Sequence, residues 1–264
     1  MITPFENVVP MGLDGRGIVI LGAGGGGIGT ATARTLAAAG AKLLCVDIDE
    51  QQAQAVAKEV GGHAFQADIT DRKQMEDLFA NAGRLFGDSL HGIADIVGWA
   101  PGGPLDGADD QAIARAFDLN LRHALLTVQI AAPMLARGGG GSMVFVSSLS
   151  GSKATPGQGL YSMFKGGLEQ LIRQAAFEYG PGGVRVNGVA PGLTVTPGVE
   201  MAMTSEFTRR VEATIPMRKL ATPQDQANSI FFLLSDLASH VSGSIIHVDG
   251  GQMTGANLPQ LGDD

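Results

Sequence analysis

Short apolar runs alternate with longer amphipathic stretches along almost the whole chain. Residues 17–21, Gly-Ile-Val-Ile-Leu, are apolar throughout, which suits a strand covered on both faces better than one with a wet side. Residues 28–39 then space their apolar side chains three and four apart, the pattern of a helix with one buried face. The pair repeats: runs at 42–46, 63–67, 94–97, 142–147, 184–189 and 245–248 predict six more strands, and 50–60, 72–86, 109–136, 159–179 and 224–235 predict helices. Glycine runs at 24–27, 61–62, 138–141 and 182–183 fall between these elements. The alternation predicts an α/β fold, a doubly wound Rossmann-type sheet of seven parallel strands with helices on both faces. Ligands of such sheets lie beyond the carboxyl ends of the strands, so the site is expected in the loops that leave them.

No repeat period or linker interrupts the pattern, and residues 1–264 are read as one domain. Residues 196–217 depart from the rhythm with Pro197, Met201, Met203 and Pro216, and are read as a mobile, helix-containing flap over a pocket. The tail from Gly250 is too short for a domain and is expected to cap the site or a subunit contact. Net charge is −8 without a Lys/Arg cluster, so neither nucleic acid nor an anionic membrane is an expected partner. The opening residues lack a basic, apolar leader and no segment is apolar for the length of a membrane span, which points to a soluble chain. Cys45, the one cysteine, sits in an apolar run and reads as a core residue in a reducing, cytoplasmic setting.

The first strand runs directly into Gly22-Ala23-Gly24-Gly25-Gly26-Gly27-Ile28-Gly29 and then a helix. Residues without side chains let a backbone approach a pyrophosphate, and the N–H groups and dipole of a helix start favour its charge. No Lys-Ser or Lys-Thr follows Gly27, which excludes a triphosphate-binding P-loop. Asp47 ends the second strand, where a carboxylate accepts from both ribose hydroxyls and repels a 2′-phosphate; it favours NAD over NADP. Asp49 is expected to cap the next helix. Asp68, after the third strand, reads as a contact to the adenine amino group, a cap for the helix beginning near Arg72, or both.

Tyr161 and Lys165 are four apart and leave the same face of a helix, where the ammonium stabilises a phenolate and brings the phenol toward neutral pH. With Ser148 they place a hydroxyl, a phenol and an ammonium around one carbonyl. Here the chain resembles the short-chain dehydrogenase/reductase (SDR) family, from about residue 16 to 253. Tyr161-Ser162-Met163-Phe164-Lys165 matches the family's Tyr-x-x-x-Lys motif, Ser148 its serine thirteen residues upstream, and Asn120 the asparagine of its long fourth helix. Residues 186–196 resemble the Pro-Gly segment that passes the nicotinamide, with Pro191 and Gly192 in its turn and Thr194 and Thr196 near the carboxamide and phosphates.

The resemblance implies that Tyr161 is the general acid/base, that Ser148 orients the carbonyl or carbinol oxygen, and that Lys165 holds the nicotinamide ribose while depressing the phenol's pKa. Asn120 would anchor a relay water. Gly22, Gly24, Gly27, Ile28, Gly29, Asp47, Ile48, Asp68 and Ile69 would form the rest of the cofactor site, and the assembly would be a homotetramer. Two departures stand out. The family's Thr-Gly opening of the glycine loop is Gly22-Ala23 here, so either the loop shifts by one residue or Gly22 makes the turn. Its Asn-Asn-Ala-Gly segment is replaced by Gly98-Trp99-Ala100-Pro101-Gly102-Gly103, whose polar ties must be remade elsewhere. Trp99 either packs beside the cofactor or fills core.

Other signals carry less. Ser150-Gly-Ser-Lys153 matches an acyl-enzyme pattern without its companion motifs and reads as a substrate loop. His63, His91, His123, His240 and His247 show no ligand spacing, so no metal is expected. The expected function is interconversion of a secondary alcohol and a ketone on a small or medium, fairly apolar substrate with NAD(H). An NADP-linked 3-oxoacyl thioester reductase and a non-catalytic nucleotide-binding scaffold are the alternatives.

Overall fold

The computed structural model describes residues 11–255. The first ten residues and the last nine, on which parts of the leader, tail and whole-chain domain readings rest, lie outside the described residues. Seven strands, β1 (Gly17–Leu21), β2 (Lys42–Asp47), β3 (His63–Gln66), β4 (Leu90–Asp95), β5 (Gly141–Val146), β6 (Val184–Pro191) and β7 (Ile245–Val248), form one parallel sheet ordered β3-β2-β1-β4-β5-β6-β7. Helices follow in chain order as α1 (Ile28–Ala38), α2 (Glu50–Val60), α3 (Arg72–Phe86), α4 (Asp110–Phe117), α5 (His123–Arg137) and α6 (Leu149–Ser152). The remainder are α7 (Gly159–Tyr179), α8 (Pro197–Ala202), α9 (Ser205–Thr214) and α10 (Pro223–Leu234).

Alternate side chains of β1 enter two separate cores, which is why the strand is apolar throughout. Val19 and Leu21 pack with Phe79, Leu135, Leu168 and Ile172 beneath α3, α5 and α7. Ile18 and Ile20 pack with Leu36, Val56, Ile230 and Leu233 beneath α1, α2 and α10. The sheet is thus covered on both faces, as expected of a doubly wound arrangement. The strand order reverses between β1 and β4, and the loops leaving those two strands diverge there to open a crevice.

Three expectations are corrected. The strand expected at 94–97 runs from Leu90 to Asp95. His91 and Gly92 had broken the apolar run, yet Gly92 lies where a Cβ would come within 3.1 Å of Leu234, and beyond Asp95 the chain turns as the Val97 N–H donates to the Asp95 carboxylate. The helix expected at 109–136 is interrupted by a π turn over Asp118–Arg122, between α4 and α5. Asn120 sits in that turn with its side chain committed to neighbouring backbone, the kind of local constraint that stabilises an extra residue in a helix. The segment 149–152, read as loop, forms the short helix α6 with Ser148 as its cap.

Candidate functional site

The glycine turn is built by backbone conformation. Gly22 has φ +80°, and a Cβ there would stand 2.9 Å from the Val97 side chain across the crevice. Gly22 therefore makes the turn itself, and its N–H and that of Ala23 both donate to the Val46 carbonyl. Gly25 and Gly26 also have positive φ, and a side chain on Gly29 would overlap the Gly22 carbonyl, so α1 can abut the turn only with glycine there. No side chain caps α1 at Gly27, whereas α2 and α3 are capped by Asp49 and Asp71. The N-terminus of α1 is left to face the crevice with its own N–H groups.

Asp49 caps α2, as expected. Asp71 caps α3, a role the sequence had offered to Asp68; Asp68 instead accepts from the N–H and hydroxyl of Thr70, two residues on. Asp47 accepts from the N–H groups of Gly24 (2.9 Å) and Asp49 (3.1 Å), which fixes its carboxylate at the crevice with lone pairs to spare. Gly22, Asp47, Ile48, Asp68 and Ile69 line a cavity of about 280 Å³.

That cavity shares Ile96 and Gly98 with a second of about 580 Å³, which gathers Ile28, Ser148, Tyr161, Lys165, Pro191, Gly192, Thr194 and Thr196. Gly24, Gly27, Gly29 and Asn120 line neither, and of these Gly29 and Asn120 are buried. The larger cavity is also lined by Leu149, Leu193, Val199, Phe207 and Val211 with the neutral Ser150, Thr155, Gln158 and Gln252; among the described residues Lys165 is the one charged residue in its wall. Thr196 caps α8, and Val199, Phe207 and Val211, which line the larger cavity, come from α8 and α9 within the segment expected as a flap.

Ser148 sits at the carboxyl end of β5, and its Oγ accepts the Ser150 N–H. Burial raises the pKa of the Tyr161 phenol above its ordinary value, against the lowering influence of the neighbouring Ser148 hydroxyl. The lowering expected from Lys165 is not found. The ammonium stands 5.7 Å from the centre of the Tyr161 ring and donates to the Val146 carbonyl at 2.7 Å. Burial pulls Lys165 down to about 8, against the field of the Asp95 carboxylate.

Asn120 supplies the ties that the unusual 98–103 segment lacks. Its side chain accepts from the Trp99 N–H (3.0 Å) and donates to the Trp99 carbonyl (2.7 Å) and the Ala116 carbonyl (2.9 Å). Gly98 then passes so close to the centre that a Cβ would lie 3.1 Å from Lys165 Nζ and 3.4 Å from Asn120 Oδ1. Trp99 is half-buried beneath the Arg115 guanidinium, 4.7 Å away, and lines neither cavity.

Several buried polar partnerships had escaped the sequence reading. Asp95 and His123, each 1% exposed, pair at 3.3 Å with Thr127 alongside. Glu169, on α7, accepts from Ser147 and Ser152. The available signal was their place on apolar faces: Glu169 shares its helical stripe with Lys165, Leu168 and Ile172. The Ser150–Lys153 pattern does not form a nucleophile pair. Ser150 bonds to Thr155 and Gln158, while Lys153 donates to the Gln252 carbonyl. Among the described residues no helix is long and apolar enough to cross a membrane.

The residues fit a dinucleotide: an uncapped helix start, a side-chain-free turn, a carboxylate where a ribose would lie, and a buried cation beside the second cavity. Comparisons with known proteins agree. A family model described as Enoyl-(Acyl carrier protein) reductase matches residues 22–253. The chain is 34% identical over 247 residues to the 7alpha-hydroxysteroid dehydrogenase of Escherichia coli (strain K12), covering 90% of this chain and 94% of that one. It is 31% identical over 207 residues to the 3-oxoacyl-acyl-carrier-protein reductase FabG of Staphylococcus aureus, covering 76% and 83%. A solved 7alpha-hydroxysteroid dehydrogenase complexed with NADH and 7-oxo glycochenodeoxycholic acid superposes with a TM-score of 0.87 at 33% identity, over 95% of this chain and 99% of that one.

Proposed function

The chain belongs to the short-chain dehydrogenase/reductase family, an oxidoreductase family, and from that premise we propose that it interconverts a secondary alcohol and a ketone with NAD(H). The observation that carries this reading is the convergence of Ser148, Tyr161 and Lys165 around one cavity continuous with the glycine-turn crevice. Bound there, the nicotinamide supplies or accepts the hydride. The protein's part is geometry and proton handling. Tyr161 gives its phenolic proton to the oxygen of the ketone undergoing reduction, or takes it from the alcohol in the other direction. Ser148 donates to that same oxygen and stabilises the charge that develops on it. Lys165, buried beside the Tyr161 ring, holds the ribose hydroxyls. Asn120 braces the backbone at Trp99 and anchors the relay water.

Asp47 supports NAD over NADP, since a carboxylate held by two backbone N–H groups repels a 2′-phosphate. Gly22, Gly24, Gly27, Ile28 and Gly29 serve the pyrophosphate, Ile48, Asp68 and Ile69 the adenosine, and Pro191, Gly192, Thr194 and Thr196 the nicotinamide side. The apolar and neutral lining of the larger cavity around Lys165 supports an uncharged, fairly apolar substrate. The FabG relative favours a second reading, an NADP-linked 3-oxoacyl thioester reductase. We extend the proposal to a single catalytic domain over 1–264, a cytoplasmic location and a homotetramer. Phe117, Leu125 and Met163, exposed on α4, α5 and α7, offer an apolar face for the last. A panel of secondary alcohols and 3-oxoacyl thioesters, assayed with each cofactor at the nicotinamide absorption band, tests the reading. Turnover of alcohols with NAD supports it, preference for thioesters with NADPH selects the second reading, and no turnover of either returns the chain to a nucleotide-binding scaffold.

A further inference from the structure

Glu169 is a buried carboxylate, 4% exposed, that the proposed chemistry does not use. It lies on α7 one turn beyond Lys165 and faces the turn that carries Ser148. Ser147 donates to its Oε1 at 3.0 Å, and Ser152 donates to both of its oxygens at 3.1 Å. These two serines bracket Ser148 from either side. Between them, Gly151 presses so closely on α7 that a Cβ would meet Glu169 Oε1 at 2.6 Å, the Lys165 carbonyl carbon at 3.0 Å and Ser147 Oγ at 3.0 Å. The cation paired with Glu169, Arg173, is half exposed and 3.7 Å away, so the hydroxyls are its close partners. Ser152 spends its single hydrogen on Glu169 and can only accept from His247, whose Nε2 lies 3.1 Å away; this ties the same turn to β7.

A carboxylate in such a place is costly to bury, and an apolar side chain of similar size would fill the space more cheaply. What it gives in return is direction, because both of its hydroxyl donors come from one turn and its own backbone belongs to the helix of Tyr161 and Lys165. We propose that Glu169 is a positioning residue that straps the Ser148 turn to α7 and so sets the Ser148 hydroxyl against the Tyr161 phenol. The inference rests on the reading of Ser148, Tyr161 and Lys165 as the reacting centre.

The test compares Glu169→Leu, Glu169→Gln and the parent, using NADH and the best ketone from the panel above. In Glu169→Leu, kcat falls by about ten- to a hundredfold, as expected when a reacting hydroxyl is misplaced by a fraction of an ångström. NADH affinity, read by fluorescence titration, stays near that of the parent because the glycine turn is untouched. Glu169→Gln keeps an acceptor oxygen and recovers most of the rate. An unchanged kcat in Glu169→Leu, a parallel fall in NADH affinity, or no recovery by Gln overturns the proposal. If Glu169→Leu does not fold, the Ser147→Ala/Ser152→Ala pair removes the same contacts by taking away both hydroxyl donors and must show the same split. Amide hydrogen exchange across 147–153 needs no turnover. Faster exchange there in the variants with α7 unaltered upholds the strap even in a chain that reduces no ketone, and unchanged exchange overturns it.

Discussion

At the carboxyl ends of β1 and β2 the groups turned toward the crevice are largely backbone: a glycine turn, an uncapped helix start, and one carboxylate held by two N–H groups. Beside β4 and β5 they are side chains, and many are buried. Lys165, Asn120, Asp95, His123 and Glu169 are all 4% exposed or less. A backbone cradle suits a ligand whose anionic and ribose parts are constant, since it asks only for close approach and N–H donors. A buried side-chain centre costs stability, which is tolerable where charge must be poised for chemistry. Under the proposed function, the first region holds and the second reacts.

The largest break in that contrast is expected from Tyr161→Phe. Removing the phenolic oxygen lowers turnover by about 10²- to 10⁴-fold, while NADH affinity, measured by fluorescence, stays close to the parent's. A matching loss of affinity would show that the two regions are not separable. Next is Lys165. Burial brings its pKa from 10.5 to about 8, so below pH 8 the folded chain carries a disfavoured ammonium. Between these values the unfolded chain binds more protons than the folded one, and stability attributable to Lys165 rises with pH. Denaturant midpoints of the parent against Lys165→Met should therefore shift in the parent's favour across that window, by up to about 3 kcal/mol. A pH-independent difference would mean that the ammonium is solvated.

A smaller effect is expected on the binding side. Asp47→Ser removes the charge that repels a 2′-phosphate and shifts relative kcat/KM toward NADP by about tenfold, roughly 1.4 kcal/mol. No shift would place the selection elsewhere. The smallest is Cys45, in the middle of β2, whose thiol burial pushes up to about 12. It should stay unmodified by thiol reagents at neutral pH until the chain unfolds, and rapid labelling of the native protein would show that this half opens.

Much of the glycine-turn region was legible because its requirements are local. A glycine turn between a strand and a helix, or an acid at a strand end, is written in consecutive residues. Ser148, Tyr161 and Lys165 were legible through their spacing. What escaped depends on residues far apart in the chain. Asp95 meets His123 across 28 positions and Glu169 meets Ser147 across 22, and nothing local marks either pair. Asn120 was visible, but not its reciprocal bonds to Trp99, because the 98–103 segment has no regular pattern to extend. The phenol's pKa was misjudged in direction because spacing says that a cation is near but says nothing of how deeply the hydroxyl is buried.

The π turn at Asp118–Arg122 has one further consequence. Each residue advances an α-helix by about 100°, so the surplus residue acts as a phase shift for everything downstream. With it in place, His123 and Thr127 both turn inward to Asp95. Excising one residue from this turn would rotate that histidine off its carboxylate, leaving the buried aspartate with the Val97 N–H alone while Ser148, Tyr161 and Lys165 were all still encoded.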